Sequence, residues 1–117
     1  MLINLVILKV QDIERTRQFY SQFGLVFKSE QHGNGPEHYS CNLNRLIFEI
    51  YPALDDLSNL TQNIRLGFQV ENLSQLFTNI TDIEKIISPL QNTPFGFRAV
   101  IKNNDGHVIE FTEISKR

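Results

Sequence analysis

Two glutamates stand inside apolar stretches and are the first candidates for chemistry. Glu110 follows Val108 and Ile109 and precedes Phe111, and Glu49 occupies a similar position in an earlier segment, 46–51. A carboxylate among apolar neighbours either faces solvent or is held in a cavity, where it can bind a ligand or act as a general base. Glu49 and Glu110 are therefore the candidate catalytic residues, although the sequence specifies no reaction.

Composition limits the classes of function. The chain has 117 residues and 41% hydrophobic content, which predicts one soluble domain, 1–117, with a single core. Its net charge is -2 and no basic stripe is visible, so a nucleic-acid partner is not expected. The single cysteine, Cys41, allows no internal disulfide and favours a cytoplasmic location. The apolar start of the chain, 1–8, is interpreted as a strand, and no stretch has the length of a membrane span, so no membrane partner is expected.

The first half of the chain, about 1–52, predicts a strand, a helix and then three strands. Asp12 is a good N-cap for the helix, and Gly24 is a natural stop. Alternation of apolar and polar residues supports the strands, and a Gly- and Pro-containing loop at 32–36 separates two of them. The predicted elements are the strand 3–10, the helix 12–24 and the strands 25–30, 38–43 and 45–51.

The second half, about 64–115, follows a polar connector at about 53–63 and repeats the same order. Asn72 can cap its helix, and an Asp-Gly turn at 103–106 precedes the last strand. A loop is predicted at 91–96 because Pro94 and Gly96 lie there. The predicted elements are the strand 64–71, the helix 72–80 and the strands 85–90, 97–102 and 108–113.

The two halves also match in detail. The segment 10–13 (Val-Gln-Asp-Ile) aligns with 70–73 (Val-Glu-Asn-Leu), and 47–50 (Ile-Phe-Glu-Ile) aligns with 108–111 (Val-Ile-Glu-Phe) at nearly the same spacing. A repeat of this length indicates two copies of one module. The predicted fold class is therefore α+β, with two βαβββ modules related by pseudo-twofold symmetry.

The segments 8–15, 19–20, 24–25, 48–50, 94–98 and 104–111 carry a family resemblance. On these residues the chain resembles the vicinal oxygen chelate superfamily, which includes glyoxalase I, bleomycin-resistance proteins and extradiol dioxygenases. The resemblance extends over essentially the whole chain. It implies that the sheets of the two modules form a cup and that the helices pack outside it.

The resemblance also identifies where a metal would bind. In the metal enzymes of the superfamily each module supplies one ligand from its first strand and one from its last. These positions fall on Leu5, Glu49, Arg65 and Glu110. Leucine has no donor atom and arginine stays protonated, so no metal site and no cofactor are expected; Glu49 and Glu110 are the ligands if any ion binds. The three histidines, 32, 38 and 107, are off these positions.

Without a metal, the guanidinium of Arg65 is predicted to replace the cation and to pair with Glu49, Glu110 or both. The alternative is that these charges form a purely structural ion cluster or face solvent. Strand alternation places further side chains on the same faces as these charges. Arg98 either reaches an anionic group of a ligand or is an exposed loop residue, and Cys41 is expected to face the helix. The predicted ligand-binding residues are Leu5, Ile7, His38, Ser40, Asn42, Glu49, Tyr51, Arg65, Gln69, Arg98, Val108, Glu110 and Thr112.

Three functions follow from these residues. The first is a binding protein of the bleomycin-resistance type, which sequesters an unknown small molecule in a metal-free cup. The second is a metal-dependent lyase, isomerase or dioxygenase with non-standard ligands. The third is a metal-free enzyme that uses Glu49 or Glu110 as general base. The resemblance and the sheet edges that need covering favour a homodimer.

Overall fold

The computed structural model describes residues 1–54 and 56–114. The chain forms two compact units, one from Met1 to Thr61 and one that begins at Gln62. Asp55 of the predicted connector, the predicted end of the second module at Ser115 and the basic residues Lys116 and Arg117 lie outside the described residues. Among the described residues, no helix is both long and apolar enough to cross a membrane.

The first unit has the predicted order of one strand, one helix and three strands. Its sheet has the strand order β1-β4-β3-β2, in which β1 is parallel to β4 and the other pairs are antiparallel. A short 3-10 turn, Leu57–Asn59, follows the last strand. The elements are β1 (Leu5–Val10), α1 (Ile13–Ser21), β2 (Lys28–Glu30), β3 (His38–Leu43) and β4 (Leu46–Pro52).

Helix α1 is fixed at its start by a cap and along one side by aromatic packing. The side chain of Asp12 accepts hydrogen bonds from the backbone N–H groups of residues 14 and 15, as the sequence predicts. Phe19 and Tyr20 are buried on the sheet, where the Tyr20 and Phe48 ring centroids lie 5.2 Å apart. Gly24 follows with a φ of 94°, a left-handed conformation that suits glycine at a helix stop. The helix therefore covers the face of the sheet that carries Phe48.

The second unit repeats this arrangement. Its sheet has the order β5-β8-β7-β6, again with the first and last strands of the unit parallel. The same element order and sheet order confirm an α+β fold with two βαβββ modules. The pseudo-twofold relation of the modules and the cup formed by their sheets remain predictions. The elements are β5 (Arg65–Val70), α2 (Leu73–Asn79), β6 (Ile83–Thr93), β7 (Gly96–Asn103) and β8 (Val108–Glu113).

Helix α2 is short and has two acceptors at its N-terminus. The Asn72 side chain accepts from the backbone N–H of Gln75, and Glu113 Oε2 accepts from the backbone N–H of Leu73 over 3.0 Å. Leu73 itself is fully buried. The carboxylate also interacts favourably with the positive end of the helix dipole. Strand β8 therefore anchors α2 through Glu113, which marks the helix side of the second sheet.

Several predicted boundaries differ from the structure. Strand β1 begins at Leu5, not at residue 3, and only residues 28–30 of the predicted strand 25–30 pair with β3. Strand β6 continues to Thr93, so the predicted loop at 91–96 is wrong for residues 91–93. Those polar residues pair with β7, as Gln91 does with Arg98, because the ladder uses backbone groups whatever the side chain. The turn at 103–106 is confirmed by a hydrogen bond from the Gly106 N–H to the Asn103 carbonyl.

Candidate functional site

Each sheet has one face on its helix and one face that points away from it, which we call the non-helical face. In the first sheet the register pairs Ile7 with Glu49 and Glu49 with Ser40. Alternate residues on these strands share that face because side chains along a strand alternate. It is partly apolar, since Leu5 is 49% exposed. The predicted residues on this face are Leu5, Ile7, His38, Ser40, Asn42, Glu49 and Tyr51.

His38 lies at the centre of the polar groups on this face. Its Nε2 is 3.5 Å from Glu49 Oε2 and 3.7 Å from Glu30 Oε1. Its ring stacks on Tyr51, with 4.0 Å between centroids and 10° between planes. One side of the Tyr51 ring is therefore covered by His38 within the protein. Glu49 is mostly buried, with 12% of its side chain exposed.

The closeness of His38 and Glu49 was not predicted from the sequence, although a signal was present. The two residues are diagonal neighbours on adjacent antiparallel strands, because Ser40 lies opposite Glu49. The short turn between β3 and β4 fixes this register. Glu30 was missed as well, since it becomes a neighbour only through the pairing of β2 with β3, where it lies opposite His38.

The second sheet carries the remaining predicted residues on its non-helical face. The register pairs Gln69 with Thr112, Arg98 with Thr112 and Arg65 with Val108. Glu110 lies between these positions on β8, opposite Gly67. Its side chain lies on the opposite face of the sheet from that of Glu113, which contacts α2. The structure thus brings together Arg65, Gln69, Arg98, Val108, Glu110 and Thr112.

Two guanidinium groups converge on one oxygen of Glu110. Arg65 donates to Glu110 Oε1 from Nη2 over 2.7 Å and from Nε over 2.9 Å, and Arg98 Nη2 lies 2.9 Å from the same oxygen. Hydrogen bonds from Arg98 and then Arg65 lower the pKa of Glu110 below its usual value. The Arg65 side chain is 54% exposed, so part of this cluster faces solvent. The pairing of Arg65 with Glu110 is as predicted, and pairing with Glu49 remains a prediction.

Arg98 is not the exposed loop residue that was one of its two predicted settings. It lies in β7, not in a loop, and its side chain is only 24% exposed. The predicted strand 97–102 already contained it, and strand alternation would have placed it on the face of Glu110. An exposed loop setting was predicted as well, because Pro94 and Gly96 precede Arg98 and indicate a loop.

The four positions that hold metal in the superfamily do not fit a metal here. Leu5 offers no donor atom, and the Arg65 guanidinium is hydrogen-bonded to the Glu110 carboxylate. A divalent ion bound to Glu110 would have to displace the fixed positive charge of Arg65. Glu49 and Glu110 alone are fewer protein ligands than catalytic sites usually have. No reaction step through a metal at these positions follows from the structure.

Cys41 is confirmed as a core residue. It is 3% exposed and pairs with Phe48 across β3 and β4, on the helix side of the sheet. Burial raises the pKa of its thiol. A raised pKa lowers the thiolate fraction at neutral pH, so Cys41 is a poor nucleophile.

Comparison with known proteins gives a family and a fold. The family model described as a glyoxalase-like domain matches residues 3–115. No curated protein matches the chain. Several solved structures match over nearly their whole length, and their low sequence identity makes the likeness one of fold.

Three of these structures illustrate the range of relatives. TioX from Micromonospora sp. ML1 is 20% identical, with a TM-score of 0.70, and the match covers 97% of this chain and 98% of that one. TnmS3, an antibiotic binding protein from Streptomyces sp. CB03234, is 18% identical, with a TM-score of 0.69 and coverage of 98% and 97%. A glyoxalase/bleomycin resistance protein from the same organism is 18% identical, with a TM-score of 0.64 and coverage of 95% and 99%.

Proposed function

The chain belongs to the glyoxalase-like domain family of the vicinal oxygen chelate superfamily, and we propose that it binds a small molecule, as a bleomycin-resistance protein does, without a metal at the family positions. One observation carries the proposal. Two of the positions that hold a metal in the superfamily are Arg65 and Glu110 in this chain, and together with Arg98 they form an organic cluster. The antibiotic-binding function printed for TnmS3 supports the same class of function.

The charges of the cluster suggest the chemistry of the ligand. Two guanidinium groups carry more N–H donors than one carboxylate can accept. The two guanidinium charges also exceed the single carboxylate charge by one, and Arg65 is half exposed. An acidic group of a ligand, such as a carboxylate or phosphate, would take the remaining donors in the planar geometry that guanidinium favours. Val108, half-buried on the same face of the second sheet, would contact an apolar part of the ligand.

The enzymatic alternatives are less well supported. A general base works best when its pKa is near the working pH, and the pKa of Glu110 is lowered by Arg98 and Arg65. Glu110 is thus a weaker base than an ordinary carboxylate. Glu49 remains the candidate base of a metal-free enzyme, because it is mostly buried and lies beside His38. A product assay on any ligand that binds would distinguish this function from sequestration.

The test is a screen of aromatic and aliphatic acids, phosphates and antibiotics by thermal shift, followed by calorimetry on the compounds that stabilise the protein. We expect Arg65→Gln and Arg98→Gln each to weaken binding of an acidic ligand by about tenfold, since a hydrogen bond to a charged group contributes about 1.5–3 kcal/mol and a tenfold change is about 1.4 kcal/mol. Arg45→Gln is the matched control, because Arg45 is an exposed arginine in the turn between β3 and β4.

The outcomes separate the functions. Binding that both site variants weaken and the control preserves, with the ligand recovered unchanged, supports sequestration. Conversion of the ligand that is lost in Glu49→Gln would identify a metal-free enzyme instead. Equal affinity in the two arginine variants and in the control would refute a role for the cluster.

The homodimer inferred from the resemblance is also proposed. Each four-stranded sheet leaves two edge strands, which are β1 and β2 in the first unit and β5 and β6 in the second. Such edges carry backbone groups that a second copy can cover. Light scattering coupled to size-exclusion chromatography, at two protein concentrations, should give twice the mass of 13.6 kDa. A mass of one chain at both concentrations would contradict the dimer.

A further inference from the structure

We propose that Glu30, His32 and His38, none of which is at the four positions used in the superfamily, form a binding site for a divalent transition-metal ion. One ligand atom from each of the three residues lies within 4.8 Å of the others. Glu30 ends β2, His38 begins β3, and His32 lies in the loop between them. Two imidazoles and one carboxylate are a known zinc ligand set that leaves a further coordination position open.

The buried nitrogen of His38 is the second observation that points to a ligand. The side chain is 1% exposed, and its Nε2 has no hydrogen-bond partner among the described residues. A buried polar atom without a partner is costly, and each case in a folded protein calls for an explanation such as an ion. This nitrogen is 3.7 Å from Glu30 Oε1, so an ion between them would satisfy both groups.

The other nitrogen of His38 is set up as metal-binding histidines usually are. Nδ1 lies 3.2 Å from the Pro36 carbonyl oxygen. A carbonyl can only accept, so Nδ1 carries the proton in this hydrogen bond and the neutral ring keeps its lone pair on Nε2. A backbone carbonyl in this role fixes the tautomer and the ring orientation of a ligand. Stacking on Tyr51 restrains the same ring.

The loop between the strands is closed by its own hydrogen bonds, which hold His32 near the other two residues. The Gly35 N–H donates to the His32 carbonyl over 2.9 Å, and Gln31 Nε2 donates to the Gly35 carbonyl over 2.9 Å. The His32 and His38 ring centroids are 5.2 Å apart. His32 is exposed, so its ring can turn to complete the site.

Glu49, which is one of the four superfamily positions, supplies a fourth ligand or leaves that coordination position to water. Its Oε2 is 3.5 Å from His38 Nε2, on the side of the ring nitrogen that also faces Glu30. Nitrogen and carboxylate donors together favour Zn²⁺, Ni²⁺ or Cu²⁺ over Mg²⁺ and Ca²⁺, which prefer oxygen ligands alone. This inference goes beyond the proposed function, because metal binding is measured without any organic ligand and Arg65, Arg98 and Glu110 take no part in it.

The experiment is calorimetric titration of the chelator-treated full chain with ZnCl2, together with the visible absorption of a Co²⁺ complex. We expect one ion per chain in the wild type and binding at least tenfold weaker in His32→Ala and Glu30→Gln. Both residues lie outside the core, so these variants should fold even if His38→Ala does not. Glu37→Gln is the matched control, since Glu37 is an exposed carboxylate of the same loop that accepts from Ser29; its affinity should equal that of the wild type.

Two results would overturn the proposal. One is a variant series that does not differ from the wild type. Either no protein binds zinc, or His32→Ala and Glu30→Gln bind it as strongly as the wild type, and the bound zinc is then an adventitious ion only. The other is a His38 ring that nitrogen NMR at neutral pH shows to be protonated on both nitrogens, with no change on adding zinc; the ring would then be an imidazolium paired with the two carboxylates. Loss of ligand binding in the arginine variants would leave the metal result unaffected, so the two proposals fail separately.

Discussion

Arg98 donates to Glu110 across the β7–β8 pair, although the two residues are not directly opposite in the register. The contact brings a second guanidinium to an oxygen that Arg65 already contacts. Glu110 therefore holds two like charges together on one face of the second sheet. Its removal would leave both arginines without this carboxylate and close to each other.

Glu110→Gln should lower the free energy of unfolding by about 1 kcal/mol at neutral pH, because it removes charge-assisted hydrogen bonds that are partly exposed. Urea denaturation measures the change, with Glu84→Gln on β6 as an exposed control that should have no effect. The lowered pKa of Glu110 means that its contribution is present above the pKa of the unfolded chain and is lost as pH falls through the folded pKa. A wild type and a Glu110→Gln variant of equal stability at neutral pH would contradict this role.

Glu14 should titrate far below an ordinary carboxylate. A hydrogen bond from Arg17 and one from the Tyr39 hydroxyl, which is 2.6 Å away, lower its pKa from 4.5 to about 2. We expect Arg17→Gln to raise this pKa more than Tyr39→Phe does, since Arg17 is the larger cause. Carboxyl-carbon NMR during an acid titration measures the pKa in each variant.

The same shift gives Glu14 a defined influence on acid stability. Because the folded pKa is lowered, its stabilising contribution is complete above pH 4.5 and disappears as pH falls towards about 2. The stability of Glu14→Gln should therefore fall less steeply across this interval than that of the wild type. Parallel curves for the two proteins in acid urea titrations would refute the assignment.

Glu113→Ala should destabilise the second unit by about 1 kcal/mol, the usual effect of losing a helix cap. The change removes the acceptor of the Leu73 N–H at the start of α2, a helix of seven residues. Asn72→Ala, which removes the other cap, should have an effect of similar size. Glu84→Ala is the exposed control, and hydrogen exchange of the α2 amides, which should rise in the two cap variants alone, provides a local measurement.

Two glycines should respond oppositely to a methyl group. A Cβ at Gly67 would meet nothing within 4 Å, so Gly67→Ala should stabilise the protein by about 0.5–1 kcal/mol by restricting the unfolded chain. Gly106 has a φ of 80°, which L-residues rarely adopt, so Gly106→Ala should cost about 1–2 kcal/mol. Thermal unfolding of the two variants measures both changes in stability. A Gly67→Ala variant that is less stable than the wild type would contradict the prediction for this position.

The fold was largely predictable because the patterns are local and occur twice. The caps at Asp12 and Asn72 and the turn before Gly106 are short-range signals, and the structure has all three. The length of β6 was not predictable from Gln91 and its polar neighbours, since cross-strand backbone pairing extends the strand against their composition.

The candidate site was predictable only in part. Strand alternation placed Glu110 and Arg65 on one face, and their contact follows from the parallel pairing of β5 with β8. The approach of Glu30 to His38 depends on the pairing of β2 with β3, and that of His32 on the path of the loop between these strands, which residue spacing does not specify. The contact of His38 with Glu49 was also not predicted, although it follows from the register of β3 with β4.

The parallel pairing of β1 with β4 and of β5 with β8 has a consequence for synthesis on the ribosome. Leu5 pairs with Ile47, and Arg65 pairs with Val108, so neither sheet can form its parallel pair until the end of its module has left the exit tunnel. Such long-range pairings raise contact order and slow folding. The first module can complete its sheet while the second is still being translated. A chain that stops before Val108 lacks the strand that lies between β5 and β7, and would expose the edges of both to aggregation.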